Sequence, residues 1–339
     1  MTSARLFEPY TIKGVTFKNR VIMAPMCQYS TDNEGLVQDW HQVHYTSRAV
    51  GQVAGIISEA TAVEPRGRIS NRDLGLWSDD AIKPFSELLQ QVKAQNCKMG
   101  IQIAHAGRKA TIQDEPIVAP SAIRFNDELQ VPLELSEPEI KNVVSAFGSA
   151  VRRAVEAGVD FVEIHGAHGY LISEFLSPLT NKRSDAYGQD RSLFLKEVLE
   201  EVVTHLPVEV PLFLRVSAED YMEDGNHPED ICRLLDPIKH LVDLLHVSSG
   251  GVVGNAVINM YPGYQVSFAE TIRQQLQLPV MAVGMLGTPE LAQETIMNGR
   301  ADLIALGREL LRDPYWPLHA AKTLAEEFEW PEQYLRAKV

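Results

Sequence analysis

Two histidines and a tyrosine occur close together in the segment 165–171. His165, His168 and Tyr170 follow the apolar run 161–164, which predicts a buried strand. An imidazole N–H can donate a hydrogen bond to a substrate oxygen, and a phenol can give up a proton. Because the three side chains come at the exit of a strand, the sequence predicts a site there for chemistry on a polarised oxygen.

Short apolar segments alternate with longer amphipathic ones along the chain. Strands are predicted at residues 21–24, 55–59, 100–105, 161–165, 212–216, 244–247, 280–283 and 303–306. Helices are predicted at residues 39–50, 79–95, 138–157, 191–205, 228–239, 267–275 and 289–298. This alternation predicts an α/β fold, a (β/α)8 TIM barrel forming a single domain over residues 1–339. A doubly wound open sheet is the alternative, since strand order cannot be read from the sequence.

The loops that follow the predicted strands carry the functional signals, because barrels bind ligands at that face. The segment 106–136 after the third strand is longer than usual connections, which is typical of a lid or a binding loop. The last two strands end in Gly284 and in Gly307-Arg308. A lone glycine usually only tightens a turn, but two at these strands with an adjacent arginine predict a phosphate-bearing ligand. No G-x-G occurs, so a Rossmann dinucleotide site is not expected.

Two polar side chains on predicted strands suggest what that ligand is. Arg215 ends the fifth strand and either forms a structural ion pair with Glu163 or Glu59, or stabilises negative charge on the reduced ring of a flavin. Gln102 on the third strand offers a donor and an acceptor, as the pyrimidine edge of a flavin requires. Taken alone it is a weak signal, because buried glutamines usually satisfy neighbouring backbone groups.

The charge and composition exclude several classes of partner. A net charge of −14 argues against nucleic acid and anionic membrane surfaces, which both reward a basic protein. The sequence has no apolar run long enough for a membrane span and no apolar N-terminal run like that of a signal peptide. Three scattered cysteines predict neither a disulfide framework nor a structural metal site. We therefore expect a cytoplasmic protein.

Cys27 and three histidines leave alternatives open. Cys27 is a small buried residue, a nucleophile without a partner at a recognisable spacing, or a weak S–H donor beside a redox ring. His105, His165 and His168 could hold zinc with an open position, as in a barrel hydrolase. Few carboxylates lie at the strand ends and the spacing matches no zinc signature, so we expect no metal and favour imidazole donors to a substrate oxygen. A non-catalytic barrel that binds a small molecule is a further hypothesis.

Three motifs together resemble one enzyme family. They are Ala24-Pro25-Met26-Cys27-Gln28-Tyr29, then His165-x-x-His168-Gly169-Tyr170-Leu171 with Glu174-Phe175-Leu176-Ser177-Pro178, and Asn298-Gly299-Arg300-Ala301-Asp302 leading to Gly307-Arg308-Glu309-Leu310-Leu311. From about residue 6 to residue 336, the chain resembles the Old Yellow Enzyme family of FMN-dependent ene-reductases. The chain resembles the bacterial thermophilic-like branch of that family in two features. It has the pair Cys27 and Tyr29, and it has His168 where many members have asparagine.

The resemblance implies a reaction and a role for each site residue. Hydride would pass from NADPH to FMN and then to Cβ of an α,β-unsaturated carbonyl compound, in ping-pong order. His165 and His168 would hold the carbonyl oxygen, and Tyr170 would protonate Cα. Cys27 would modulate the flavin potential, and Tyr29 would contact the substrate. The residues implied to line the flavin are Ala24, Pro25, Met26, Cys27, Ala60, Gln102 and Arg215, with Gly284, Gly307 and Arg308 at its phosphate.

The resemblance also implies an assembly, and the chain departs from the family in places. A homodimer or homotetramer is implied, in which Arg336 enters the active site of the neighbouring subunit; here the chain continues past it for residues 337–339. The segment 189–191 is shorter than in relatives, which we expect to alter packing or oligomer contacts. Ala24 stands where a hydroxyl residue is common, so one flavin hydrogen bond is expected to be missing.

Overall fold

In the computed structural model, which describes residues 5–338, eight parallel strands form a closed barrel. The strands of the chain are β1 (Tyr10–Ile12), β2 (Val15–Phe17), β3 (Val21–Met23), β4 (Gly55–Ala62), β5 (Leu74–Gly75), β6 (Lys98–Ala104), β7 (Val118–Ala119), β8 (Leu133–Glu134), β9 (Phe161–Gly166), β10 (Leu212–Ser217), β11 (Leu244–Ser248), β12 (Val280–Val283) and β13 (Leu303–Leu306). All eight predicted strands are present, as β3, β4, β6 and β9 to β13.

The pairing of β3 closes the barrel. β3 pairs in parallel with β4 on one side and with β13 on the other, so the strand order returns to its start. The predicted (β/α)8 barrel is therefore confirmed, and the open doubly wound sheet is wrong. The carboxyl ends of all eight strands consequently meet at one face, where the loops described below lie.

Helices surround the barrel. They are α1 (Asp39–Val50), α2 (Ile82–Lys93), α3 (Glu137–Ala157), α4 (Leu171–Leu176), α5 (Ala186–Gln189), α6 (Leu193–Val203), α7 (Pro228–Leu235), α8 (Val266–Leu276), α9 (Pro289–Met297), α10 (Arg308–Arg312) and α11 (Trp316–Thr323). Of the helices between residues 5 and 338, none is long and apolar enough to cross a membrane.

Local chemistry explains where two of the predicted helices begin and end. Ser136 begins α3, and its backbone N–H donates to Glu139 at 2.9 Å, while Gly158 ends the helix in the left-handed conformation with φ of 94°. The predicted helix 228–239 instead stops at Leu235 and continues as a 3₁₀ turn. Pro237 explains this correction, because proline has no backbone N–H to continue the hydrogen bonds of the α-helix.

The barrel interior changes from apolar to polar along β9. Side chains alternate across a strand, so β9 presents Phe161, then Glu163, then His165 to the interior. Phe161 packs against Phe17 and Phe213, with ring centroids 5.6 and 4.8 Å away, where the β1–β2 hairpin closes the bottom. The buried polar residues therefore lie above an apolar plug, towards the carboxyl ends of the strands.

Candidate active site

The motif that links β9 to α4 brings two imidazoles and a phenol together. The ring centroid of His165 lies 5.2 Å from that of His168 and 4.9 Å from that of Tyr170, with the rings nearly perpendicular in both pairs. The turn is tight: His168 and Gly169 have φ of 62° and 70°. A Cβ at Gly169 would lie 2.1 Å from the carbonyl oxygen of Gly251, so only glycine fits there.

Both imidazoles are held in the neutral state. Burial, followed by the nearby charge of Arg215, lowers the pKa of His165 and of His168 well below the usual value. Nδ1 of His165 accepts the backbone N–H of Ala167 at 3.2 Å, so the single proton is on Nε2. Nε2 of His168 lies 2.8 Å from the Ser248 hydroxyl. The site thus offers neutral N–H donors to an oxygen, without an imidazolium.

Tyr170 keeps its proton. Burial raises the pKa of Tyr170 far above the usual value, and the neighbouring Cys27 and Tyr29 raise it further. Its hydroxyl forms no hydrogen bond with any of residues 5–338, so it is available to a ligand. The phenol is therefore a proton store that gives up its proton only to a strongly basic carbon or oxygen.

Lys109 is a site residue that sequence reasoning missed. Its Nζ donates to the carbonyl oxygens of His168 at 2.8 Å and Gly251 at 3.1 Å, and it lies 5.2 Å from the ring centroid of Tyr170. Burial lowers the pKa of Lys109 to about 8. The lysine thereby fixes the main chain of the histidine turn. Its signal was its place just after the third predicted strand, where basic side chains reach a barrel's active face.

Cys27 and Tyr29 lie together after β3. Burial raises the pKa of the Cys27 thiol to about 12, with Asp73 and Glu59 raising it further. A nucleophilic cysteine requires a lowered pKa, so the nucleophile hypothesis finds no support, and the thiol can act only as a weak donor. Tyr29 is 46% exposed, with φ of 49°, and its hydroxyl also has a pKa raised by burial, to about 12.

Arg215 is buried without a counter-ion in contact. It is 7% exposed, and within residues 5–338 it forms no ion pair and no side-chain hydrogen bond; its Nε is fully buried. Glu163 instead binds Gln102 and His246, and Glu59 contacts other groups, so the structural ion-pair interpretation is wrong. An unpaired buried guanidinium is costly, which indicates that a bound anion completes this site.

A cavity of about 690 Å³ connects Arg215 with the predicted phosphate residues. Gly284, Gly307 and Arg308 all line it, together with Arg215 and Ser248. Gly284 has φ of 121°, and a Cβ there would lie 2.5 Å from Gln265, so the turn needs glycine. Four of the predicted cofactor residues thus face one cavity of a size that suits a cofactor.

The other predicted flavin residues lie on neighbouring strands at the same face. Met26 lies beside Gly307, since a Cβ on that glycine would be 3.5 Å from the Met26 sulfur. Ala24 and Pro25 connect β3 to Met26. Ala60 on β4 is the register partner of Gln102 on β6. Ala24 is only 3% exposed and packs with the barrel interior.

Two predicted residues stand apart from this arrangement. Arg336 is exposed in the 3₁₀ turn Glu332–Ala337, where it forms no hydrogen bond or ion pair with any residue of the described chain. His105 has both ring nitrogens engaged, with Glu64 at 2.9 Å and with the backbone N–H of Gly107 at 3.1 Å. The zinc hypothesis therefore lacks a ligand set, and residues 5–338 contain no cluster of three potential metal ligands.

Comparisons with known proteins agree on one family. Residues 5–327 match the model of the NADH:flavin oxidoreductase / NADH oxidase family. An NADPH dehydrogenase of Geobacillus sp. (strain WCH70) is 51% identical over 336 residues, which cover 98% of each chain.

Solved structures share the fold. Morphinone reductase superposes with a TM-score of 0.81 at 25% identity, covering 98% of this chain and 92% of its own. The complex of morphinone reductase with tetrahydroNAD superposes with a TM-score of 0.79 at 26% identity, covering 97% of this chain and 93% of its own. A 2-naphthoyl-CoA reductase superposes with a TM-score of 0.89 at 23% identity. The match covers 94% of this chain but only 52% of the reductase, so this chain spans about half of that protein's length.

Proposed function

The chain belongs to the NADH:flavin oxidoreductase / NADH oxidase family, and from this premise we propose that it reduces the activated C=C bond of α,β-unsaturated carbonyl compounds. It is an FMN-dependent NADPH dehydrogenase of the Old Yellow Enzyme type, as its resemblance predicted. The family fixes the cofactors. The substrate class is our inference from the oxygen site formed by His165, His168 and Tyr170.

FMN suits the cavity by charge and by shape. Arg215 is a buried cation without an anion in contact, and Arg308 adds a second cation beside the glycines at the ends of β12 and β13. Gly284 and Gly307 leave their backbone uncovered, as a phosphate group needs. We assign Arg215, Gln102, Ala60 and the segment 24–27 to the ring, and Gly284, Gly307 and Arg308 to the phosphate.

The side chains around the cavity have complementary tasks. When bound, FMN accepts hydride from NADPH and delivers it to Cβ of the substrate. His165 and His168 donate N–H groups to the carbonyl oxygen and stabilise the enolate charge that develops there. Tyr170 donates its proton to Cα. Cys27 contacts the redox ring as a weak donor, and Tyr29, exposed at the rim, contacts the substrate.

One observation carries this proposal: a proton-bearing phenol and two neutral imidazoles lie together at the end of β9, the strand next to the one that presents a buried arginine without an ion pair. The test is to purify the protein, measure its FMN content and assay NADPH oxidation with 2-cyclohexenone. We expect one FMN per chain and formation of cyclohexanone with ping-pong kinetics, because both substrates use one face. A colourless protein with bound zinc, or a flavoprotein that oxidises NADPH but leaves the enone unchanged, contradicts the proposal.

The neutral state of the histidines predicts how ligand binding depends on pH. We propose that phenol binds to the oxidised enzyme through its oxygen, and that both imidazoles stay neutral as the pH falls through 6.5, since burial holds both pKa values well below that value. We expect the phenol dissociation constant, read from FMN absorbance, to stay constant within about twofold between pH 5.5 and 7, a window below the pKa of Lys109 at about 8. Affinity that rises as the pH falls through 6.5 indicates imidazolium donors and contradicts this assignment.

The role proposed for Arg336 requires a second subunit. Arg336 is exposed and unengaged within one chain, and we propose that it reaches the active site of a neighbouring subunit in a homodimer or homotetramer. Arg336→Ala is expected to raise KM for the enone several-fold at unchanged FMN content, with Arg233→Ala, an exposed arginine of α7, as the control. Sedimentation velocity measures the oligomeric state of the enzyme as a second readout. A monomer at assay concentration with wild-type activity contradicts the assignment.

A further inference from the structure

A buried glutamate lies near Gln102 and Arg215, two side chains that we assign to the flavin ring. Glu163, at the centre of β9, is fully buried. Its Oε1 accepts a hydrogen bond from Nε2 of Gln102 at 2.8 Å, and its Oε2 lies 2.8 Å from Nδ1 of His246. Both oxygens thus receive a donor, as a buried ionised carboxylate requires.

This arrangement decides which atoms of Gln102 and His246 remain available. The Gln102 amide nitrogen is directed to Glu163, which leaves its oxygen free to accept. Burial, followed by the charge of Arg215, lowers the pKa of His246, so its single proton is on the Nδ1 that faces Glu163. Nε2 of His246 is then a bare acceptor. Within residues 5–338 it has no partner, and neither has the Nε–H of Arg215, its register partner on β10.

Glu163 is also the main counter-charge of Arg215. Burial lowers the pKa of that guanidinium, and Glu163 is the charged group that opposes the shift most, although the two are not in contact. The carboxylate therefore acts on the arginine through the low-dielectric interior. Without it, the centre of the barrel would hold an uncompensated positive charge.

We propose that Glu163 is a positioning residue for FMN, which orients the Gln102 amide towards the cofactor and balances the charge of Arg215. This inference rests on the proposed placement of FMN against Arg215 and Gln102. Its consequence is electrostatic: removing the carboxylate leaves Arg215 unbalanced, and the protein then favours the more negative, reduced cofactor over the oxidised one. Glu163 thereby keeps the midpoint potential of the flavin low.

The test is Glu163→Gln, which keeps the shape and removes the charge. The midpoint potential is measured by dye-coupled photoreduction, and FMN affinity is measured by fluorescence titration of the apoprotein. We expect the preference for reduced over oxidised FMN to rise tenfold, which is a shift of about 30 mV to higher potential for a two-electron couple. A folded, FMN-loaded variant whose preference stays within twofold of the wild type overturns the inference.

Two further variants separate positioning from general stability. Glu64→Gln removes another largely buried carboxylate that carries a charge: burial opposes ionisation, but hydrogen bonds from His105 and Arg66 lower the pKa of Glu64 to about 2. Glu64 is not among the groups that act on Arg215. The midpoint potential of this variant is expected to equal the wild-type value. A shift of tenfold in this control shows that any lost buried charge has the same effect, and overturns the specific role of Glu163.

The exchange variant Gln102→Glu with Glu163→Gln decides the question even if the single variant fails to fold. It keeps the amide–carboxylate hydrogen bond and the total charge, but it presents a carboxylate to the cofactor where the amide was. We expect at least tenfold weaker FMN binding, whereas wild-type affinity and potential overturn the inference. A wild-type protein that binds no FMN overturns the proposed function itself, so the two failures are distinguishable.

Discussion

Replacing Tyr170 with phenylalanine is expected to slow enone reduction by about 10²–10⁴-fold, the usual contribution of a positioned general acid. The hydroxyl is a proton-bearing group that neither a backbone group nor a side chain of residues 5–338 engages. Burial holds its pKa far above the usual value, so the proton is present throughout the physiological range. Single-turnover mixing of the reduced variant with 2-cyclohexenone measures the effect.

The same variant carries its own control. Reduction of the enzyme by NADPH needs no proton from a phenol, so its rate constant is expected to stay within about twofold of the wild type. The structure supports a clean substitution, since the ring of Tyr170 keeps its edge-to-face contact with His165 at 4.9 Å between centroids. An equal loss in both half-reactions would assign Tyr170 to FMN or NADPH binding, and would remove the proton-donor role.

Replacing His165 with alanine is expected to lower enone reduction by about 10²–10³-fold, the cost of one preorganised donor to a developing oxyanion. His168→Ala should have a similar effect. Both variants are also expected to bind phenol at least tenfold more weakly, because the donors act on a bound oxygen before any chemistry. Titration of the oxidised FMN absorbance measures the dissociation constant.

His105→Gln is the matched control for the histidine variants. His105 also lies at a strand exit, but both of its ring nitrogens are engaged, with Glu64 and with the backbone N–H of Gly107. Phenol affinity is therefore expected to be unchanged in this variant. If His165→Ala and His168→Ala also keep the wild-type dissociation constant, the substrate oxygen binds elsewhere and the assignment of the motif is wrong.

The barrel could be predicted from sequence because the hydrophobic periodicity indicates its strands and helices and the capping residues indicate where helices begin and end. β12 and β13 begin and end at the predicted residues, and α1 covers the predicted segment. The elements that were missed have weak local signals: β1 and β2 span three residues each, and α10 and α11 follow a strand without a long amphipathic run. Their stability comes from packing on the barrel, which one sequence does not display.

The candidate site was predicted in part for a similar reason. His165, His168 and Tyr170 are close in sequence, so their proximity was readable. The link between Glu163, Gln102 and His246 joins three strands, and it depends on the register that barrel closure sets. The sequence suggested Glu163 as an ion-pair partner of Arg215, whereas the structure gives it two other partners and leaves the arginine open.

The central claim is tested most directly by following deuterium into the product of 2-cyclohexenone reduction. With C4-deuterated NADPH in ordinary water, mass spectrometry and NMR are expected to find the label at Cβ of cyclohexanone. With unlabelled NADPH in deuterated water, the label is expected at Cα, where the proton of Tyr170 is delivered. Label from solvent at Cβ, or an enone left unreduced while NADPH is oxidised, would contradict the account.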